Sequence, residues 1–460
     1  MDEHETTPTP TPAQATPPDR RTFLKGAAAA AATVATSGIA TQVARAARVE
    51  VISSAPAGEI LIWVNGNPFA PAQVAAFNKV YPNVKVKQQI TAYVPQTPSL
   101  AAHLVTGVDV PDGIFFIEDA YLGQFASTLY DVTSAVAHYA SKIAPYKLAV
   151  SKQGGRTVGI PWDLDPSFLI YREDIVAKAG VDVSKIVTYD DLIAAAQTVK
   201  AKVPTCTGPL HFLDAPGFMT FVVEGLAWQQ HSGIIDAQGK LNLKAQAYTN
   251  AFNYLEKAYK AGVTSLGLWQ TPSLYKQWND GTTCFIHFAD WFTHWNEPGL
   301  KASWGKFALA KQPVFNKATD SVYSNMGGST YVVPLKAKNP ALGALFGAFQ
   351  LLEPAALRAG NASNIYEGNL PSAEALWPYV NLDDFRHARI ISKSVPEHAL
   401  LVEACKGIPS NYRYPAWFSQ VYPYYGGPVR GVLTGKMSAA QAQQKVYADI
   451  QTKVVQRFRG

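Results

Sequence analysis

Two short stretches set an aromatic ring beside carboxylates directly after an apolar run: Trp162-Asp163-Leu164-Asp165, and Asp290-Trp291 after Phe285-Ile286-His287-Phe288-Ala289. A carboxylate offers a planar pair of acceptors and an indole offers a flat apolar face, so each stretch suits a ligand with hydroxyls around an apolar ring. Each also has a structural reading: Asp163 would cap a turn with Pro166, and Trp291 would fill a core. Glu118-Asp119 closes a third apolar run, Ile114-Phe115-Phe116-Ile117, where a parallel strand would leave its sheet. Open α/β sheets bind ligands at that end.

Other chemistries fit these residues less well. His287, Asp290 and His294 would share one face of a continuous helix and could hold a metal. The alternation through Cys284-Phe285-Ile286-His287-Phe288 instead reads as a strand, which spreads the trio, so no metal site is expected. A nucleophile elbow, phosphate loop and dinucleotide fingerprint are all missing, so no cofactor is expected. Asp163 with Asp165, or Glu118 with Asp119, could be the acid pair of a secreted carbohydrate-active enzyme. Glycoside hydrolysis needs two carboxyls facing each other across the scissile bond, which sequence neighbours rarely achieve. Binding without catalysis is therefore expected, with the secreted enzyme as the alternative.

The elements that would hold these residues read as α/β. Ile60-Leu61-Ile62-Trp63-Val64 is a buried strand ending at the turn Asn65-Gly66-Asn67-Pro68, and Pro71 opens a helix with apolar Val74, Phe77 and Val80 at helical spacing. Val84, Val86 and Ile90 begin the next strand, which makes a parallel crossover. Thr188-Tyr189-Asp190-Asp191 is an N-cap followed by acids in the first turn, and Ala245 to Ala261 is a second long amphipathic helix.

Upstream, Arg20-Arg21-Thr22-Phe23-Leu24-Lys25 precedes a weakly apolar run from Ala27 to Ala40 and the small-residue site Ala44-Arg45-Ala46, the layout of a twin-arginine export signal. The run is too short and too rich in Ala for a membrane anchor. The product should be free in the periplasm, where one disulfide among Cys206, Cys284 and Cys405 is permitted but its pairing is open. Removing residues 1–46 leaves roughly 410 residues, more than one core usually organises, so two domains are expected. Lys plus Arg number 40 against 34 Asp plus Glu, without a basic block after the signal, which argues against a nucleic-acid partner.

Several segments together resemble the extracellular solute-binding proteins of ABC importers, the carbohydrate-binding group that includes maltose-binding protein. They are Phe77-Asn78-Lys79-Val80-Tyr81-Pro82-Asn83-Val84, then Gly159-Ile160-Pro161 with Leu169-Ile170-Tyr171-Arg172-Glu173-Asp174 and Ala179-Gly180-Val181, then Gly327-Gly328-Ser329, and near the end Leu433-Thr434-Gly435-Lys436-Met437-Ser438. The order and spacing of these segments carry the likeness, from Ile60 to Val455. The family's usual Asn-Lys is here Arg172-Glu173.

The resemblance implies a periplasmic binding protein-like α/β fold: two hinge-joined lobes of discontinuous segments around a cleft. The signal would span 1–46 and a linker 47–57. The N-terminal lobe would take 58–170 plus 312–353, and the C-terminal lobe 171–311 plus 354–460, with crossings near Ile170, Lys311 and Glu353. The long insertion from Asn361 to Pro378 leaves the last crossing open. The chain would capture a sugar or related polyol and deliver it to ABC permease subunits in the membrane, acting as a monomer. The cleft residues would be Asn65, Asn67, Glu118, Asp119, Trp162, Asp163, Asp165, Asp214, Asp290, Trp291, Gly328 and Arg413.

Overall fold

The computed structural model describes residues 56–65, 68–91, 98–359, 370–380 and 389–459. The export signal at 1–46, most of the linker at 47–57, and Asn67 lie outside the described residues. β1 (Gly58–Asn65) fully buries Ile60, Ile62 and Val64, as a strand covered on both faces does. α1 (Pro71–Val80) follows, with Pro71 in the first turn, where a missing N–H costs nothing, and the Gln73 side chain accepting from the Ala70 N–H at 3.0 Å. Phe77 carries the packing of α1, but Val80 is 56 % exposed, so the expected apolar stripe is narrower than its spacing suggested.

β2 (Val84–Thr91) pairs with β1 in parallel, which completes the expected crossover. Then come β3 (Gly113–Glu118), α2 (Asp119–Phe125), α3 (Pro145–Val150), β4 (Ile160–Pro161) and β5 (Asp163–Leu164). The middle of the chain forms β6 (Ser167–Arg172), α4 (Tyr189–Lys202), β7 (Leu210–Leu213), α5 (Pro216–Gln229), α6 (Gln246–Lys260), β8 (Thr264–Gly267), β9 (Phe285–Ala289), α7 (Trp291–Asn296) and β10 (Phe307–Ala310). The last part forms β11 (Ser329–Val332), α8 (Pro340–Leu352), α9 (Pro354–Ala359), β12 (Leu370–Pro371), α10 (Glu397–Gly407), α11 (Tyr422–Leu433) and α12 (Ala439–Ile450).

These strands make two separate five-stranded sheets, ordered β2-β1-β3-β11-β4 and β8-β7-β9-β6-β10. β5 and β12 form a small ladder of their own. In the first sheet β1, β2 and β3 are parallel and β11 runs antiparallel between β3 and β4. In the second, β7, β8 and β9 are parallel while β6 and β10 run against their neighbours.

The chain leaves the first sheet after β4 and enters the second at β6, so the passage falls within residues 162–166 and not near Ile170. Ile170 is mid-strand, paired with Ile286 and Leu309. The reason is burial: the apolar run 167–172 needs cover from strands on both sides, whereas the acid-rich stretch before it can span the gap. The return lies between β10 and β11. After Glu353 the chain stays beside the first sheet for one more helix, because α9 buries Ala356 and Leu357 and packs against α1.

Packing around each sheet rests on a few large side chains. Phe77 of α1 meets Phe346 and Phe349 of α8 at ring-centroid distances of 5.1 and 5.4 Å. The Tyr331 side chain of β11 fills the space that side chains at Gly113 and Gly347 would occupy, and its hydroxyl donates to the Gly343 carbonyl at 3.0 Å. Beside the second sheet, Glu224 of α5 is buried and accepts hydrogen bonds from the hydroxyls of Tyr248 at 2.8 Å, Tyr412 at 2.7 Å and Tyr425. That carboxylate joins α5, α6, α11 and the segment before α11. The N-terminus of α4 is closed by a capping box, with Thr188 Oγ1 accepting from the Asp191 N–H at 3.1 Å and Asp191 accepting from the Thr188 N–H at 2.8 Å. Cys206, Cys284 and Cys405 are buried free thiols. None of the helices among the described residues is long and apolar enough to cross a membrane.

Candidate functional site

The first sheet brings Glu118 and Asp119 to the carboxyl end of β3, where Asp119 opens α2 and is fully buried. Its N–H donates to the Gly328 carbonyl at 2.9 Å. α3 delivers a second buried charge: Lys147 Nζ donates to Asp119 Oδ2 at 2.6 Å and stands 3.6 Å from Asp163 Oδ1. Asp163, in β5, accepts from the Ser329 N–H at 2.7 Å, and Asp165 accepts from the Gly328 N–H at 2.5 Å. Trp162 lies against Phe115 and Phe116, at 4.7 and 5.1 Å between ring centroids.

The second sheet supplies the opposite wall. Asp290 follows β9 and is buried, its Oδ1 accepting from the Trp291 N–H at 3.0 Å. The Trp291 indole N–H donates to the Met326 carbonyl at 3.0 Å. Phe288, Trp269 and Phe218 extend this aromatic wall, with Trp291 centred 4.7 Å from Phe288 and 5.5 Å from Trp269.

Gly327 and Gly328 are the point on which both walls converge. Both have positive φ, +114° and +95°, a region that L side chains rarely enter. A Cβ on Gly328 would stand 2.7 Å from Asp119 Oδ2 and 3.0 Å from Lys147 Nζ, while one on Gly327 would run into Asp165 and approach the Trp291 indole nitrogen at 3.3 Å. Glycine is needed here for conformation and for space together. Asn325 holds the turn, its side-chain amide donating to the Gly327 carbonyl at 2.8 Å.

Burial sets the electrostatics. It raises the Asp119 carboxyl to about 6, against the pull of Lys147 in the other direction. Asp165 is pushed well up by burial and by the nearby carboxylates of Asp163 and Asp290. Asp290 is also raised by burial, partly offset by the Trp291 N–H, with Glu397 and Asp163 adding repulsion. The arrangement is rich in acceptors and poor in cations, so it suits a ligand that donates hydrogen bonds.

Of the residues expected from sequence, Glu118, Asp119, Trp162, Asp163, Asp165, Asp290, Trp291 and Gly328 gather around this turn. Asp214 sits at the carboxyl end of β7 in the second sheet, half-buried and ion-paired with Arg430 at 3.2 Å, so its carboxylate already has a cation. Arg413 is exposed and donates to the carbonyls of Ser410 and Tyr412; it lines a cavity of about 540 Å³ with Ala140, Ser141, Lys152, Gly154 and Gly155 on the far side of α3. None of the buried acids lines that cavity, so the candidate site is the acid cluster and not the open groove. Asn65 ends β1, paired in the ladder with Thr91. His287 is buried within β9 and Asp290 lies beyond the strand end, as the alternation suggested, and no group of three or more metal-binding side chains occurs among the described residues.

Sequence reading missed Lys147, Tyr146, Trp269, Phe218 and Asn325. Tyr146 and Lys147 follow Pro145 in a six-residue helix, and a lysine there carries no signal that separates it from a surface lysine. Trp269 follows β8 as Trp291 follows β9, so the rule that ligand residues follow strands could have found it.

A family model described as bacterial extracellular solute-binding protein matches residues 64–356, and a twin-arginine translocation signal model matches residues 17–37. The latter supports export to the periplasm by the twin-arginine pathway. The chain is 26 % identical over 357 residues to the arabinooligosaccharide-binding protein of Bacillus subtilis (strain 168), covering 74 % of this chain and 76 % of that protein. It is 25 % identical over 300 residues to a lactose-binding protein of Rhizobium radiobacter, covering 61 % of this chain and 67 % of that one. Among solved structures, the sugar-binding protein MalE of Xanthomonas citri superposes with a TM-score of 0.69 at 18 % identity, over 87 % of this chain and 98 % of that one. The lacto-N-biose complex of the galacto-N-biose/lacto-N-biose I-binding protein of Bifidobacterium longum likewise gives 0.69 at 17 % identity, over 87 % of this chain and 98 % of that one. With a family match over more than half its length and the two-sheet architecture of these structures, the chain belongs to the bacterial extracellular solute-binding protein family.

Proposed function

We propose that the protein captures a sugar or related polyol between its two sheets and delivers it to the membrane subunits of an ABC importer, acting as a monomer and without catalysing a reaction. The observation that carries this reading is the convergence of Asp119, Asp163 and Asp165 on the Gly327–Gly328 turn, with the Trp291 indole reaching the same turn and Trp162 and Asp290 next to these residues in the chain. Buried carboxylates accept hydroxyl hydrogens and indole faces cover the apolar side of a ring. The relatives named above bind oligosaccharides or lactose, which favours the same ligand class.

In this reading the N-terminal lobe comprises 58–161 and 329–359, the C-terminal lobe 167–310 and 389–459, and the stretch 162–166 is one of the hinge segments. Glu118, Asp119, Trp162, Asp163, Asp165, Asp290, Trp291 and Gly328 line the ligand. Asp214 and Arg413 would be peripheral.

The test is a thermal-shift screen of the purified protein against neutral sugars, polyols and oligosaccharides, followed by calorimetry and product analysis on each hit. A ligand that binds only the folded state raises the melting temperature. Saturable stabilisation with the sugar recovered intact is expected; release of shorter products would support the secreted enzyme instead.

A further inference from the structure

Of the three cysteines in the chain, two meet. Cys206 sits in the turn between α4 and β7, and Cys284 immediately precedes β9; both are fully buried. The backbone brings the two segments side by side, with the Gly208 N–H donating to the Thr282 carbonyl at 3.1 Å and the Cys284 N–H donating to the Pro209 carbonyl at 3.0 Å. The two thiols share a hydrogen bond. Cys405 lies elsewhere, in α10, where Asp290, Asp165 and Glu374 are the charged groups acting on it.

Two sulfurs in hydrogen-bonding contact need only small side-chain rotations to reach the bonding distance of about 2 Å. The turn is also the way in. Cys206 stands between the exposed residues Thr205 and Thr207, so opening this turn uncovers its sulfur while the sheet stays folded. Burial pushes the Cys284 thiol well above its ordinary range, the hydrogen bond to Cys206 adds to this, and the Arg172 guanidinium pulls the other way. An incoming reagent therefore meets Cys206 first. A protein exported through the twin-arginine route folds among reduced thiols and meets oxidants only after export.

We propose that Cys206 and Cys284 close a disulfide once the protein reaches the periplasm, stapling the turn after α4 to the start of β9, while Cys405 stays a thiol. The oxidant is an external disulfide, carried by a thiol oxidoreductase or by a small molecule. The Cys206 thiolate attacks one sulfur of that disulfide, which forms a mixed disulfide and releases one thiol. The Cys284 thiolate then attacks the Cys206 sulfur and releases the second. The two protein thiols lose two electrons, the external disulfide gains them, and the two protons end on the released thiols. The closed loop of roughly 80 residues, which holds β7, α5, α6 and β8, is long enough for the bridge to restrict the unfolded chain strongly.

The test uses the exported protein purified from the periplasm and incubated with oxidised glutathione, then quenched, unfolded and alkylated. Mass spectrometry should find Cys405 alkylated and a cross-linked peptide pair joining Cys206 to Cys284, and treatment with dithiothreitol should make all three cysteines available to the alkylating reagent. The oxidised form should melt about 3 °C or more above the reduced form. Cys206→Ser and Cys284→Ser should each abolish that shift, and Cys405→Ser should keep it. Three alkylated cysteines after oxidation, a bridge that includes Cys405, or a glutathione adduct on Cys206 that never resolves would each overturn the proposal, and these readings need no variant to fold. An oxidised form that melts no higher than the reduced one would overturn the stapling role.

Discussion

Asp119 carries a pH signature because its environment favours the protonated form. Its carboxyl is raised to about 6 from an ordinary 3.8, so the folded protein holds that proton more tightly than the unfolded chain does. Stability from this group is therefore greatest below the ordinary value and is lost as pH rises through the folded value, where an ionised carboxylate must be carried in the buried site. Asp119→Asn should flatten this decline by up to about 3 kcal/mol between acid and neutral pH, read as melting temperature against pH. A profile of unchanged slope would show that other groups set it. The candidate acids themselves were legible as types that follow apolar runs. Their partners were not: Asp163 meets Ser329, 166 residues along the chain, and Lys147 meets Asp119 across 28.

Among the elements, α4 and α5 are held in opposite ways. The α4 cap is local, with Thr188 and Asp191 three residues apart, so the sequence alone shows it. Thr188→Ala should cost about 1 kcal/mol of stability and leave ligand affinity unchanged. Glu224 in α5 looks like any acid in an apolar stretch, and its three tyrosine partners come from positions 248, 412 and 425. Glu224→Ala strands three buried hydroxyls, so it should cost more than the Thr188 variant, on the order of 3 kcal/mol or more. Chemical denaturation of both variants checks the ranking; equal losses would mean that the tyrosines find other partners. Glu224 also fixes Tyr412, whose ring stacks on Trp228 at 4.1 Å, so its loss should loosen the segment that carries Arg413.

For the molecule as a whole, the two sheets are linked by the 162–166 stretch and by the return between β10 and β11, and Trp291 beside the second sheet reaches the same Gly327–Gly328 turn as Asp119 and Asp165. A ligand that bridges both walls selects the closed arrangement over an open one. Small-angle scattering should show a smaller radius of gyration on adding a saturating ligand found by calorimetry. The same radius with and without that ligand would count against a closing cleft.

Periodic apolar runs, caps and turn residues are local signals, and they determined the α/β class, the opening crossover, the α4 and α6 helices and the export signal. The resemblance in segment order, also carried by sequence, determined the family. Tertiary structure alone decided that the acid-rich stretch and not Ile170 spans the gap between sheets, because a strand's need for cover on both sides depends on what packs there. It also decided which acids share one site. Asp214 and Arg413 follow a strand and a turn as plausibly as Asp290 does, yet one is neutralised by Arg430 and the other points to solvent. Lys147 became part of the site only because α3 folds against α2 and β5, and burial of that kind depends on residues distant in the chain.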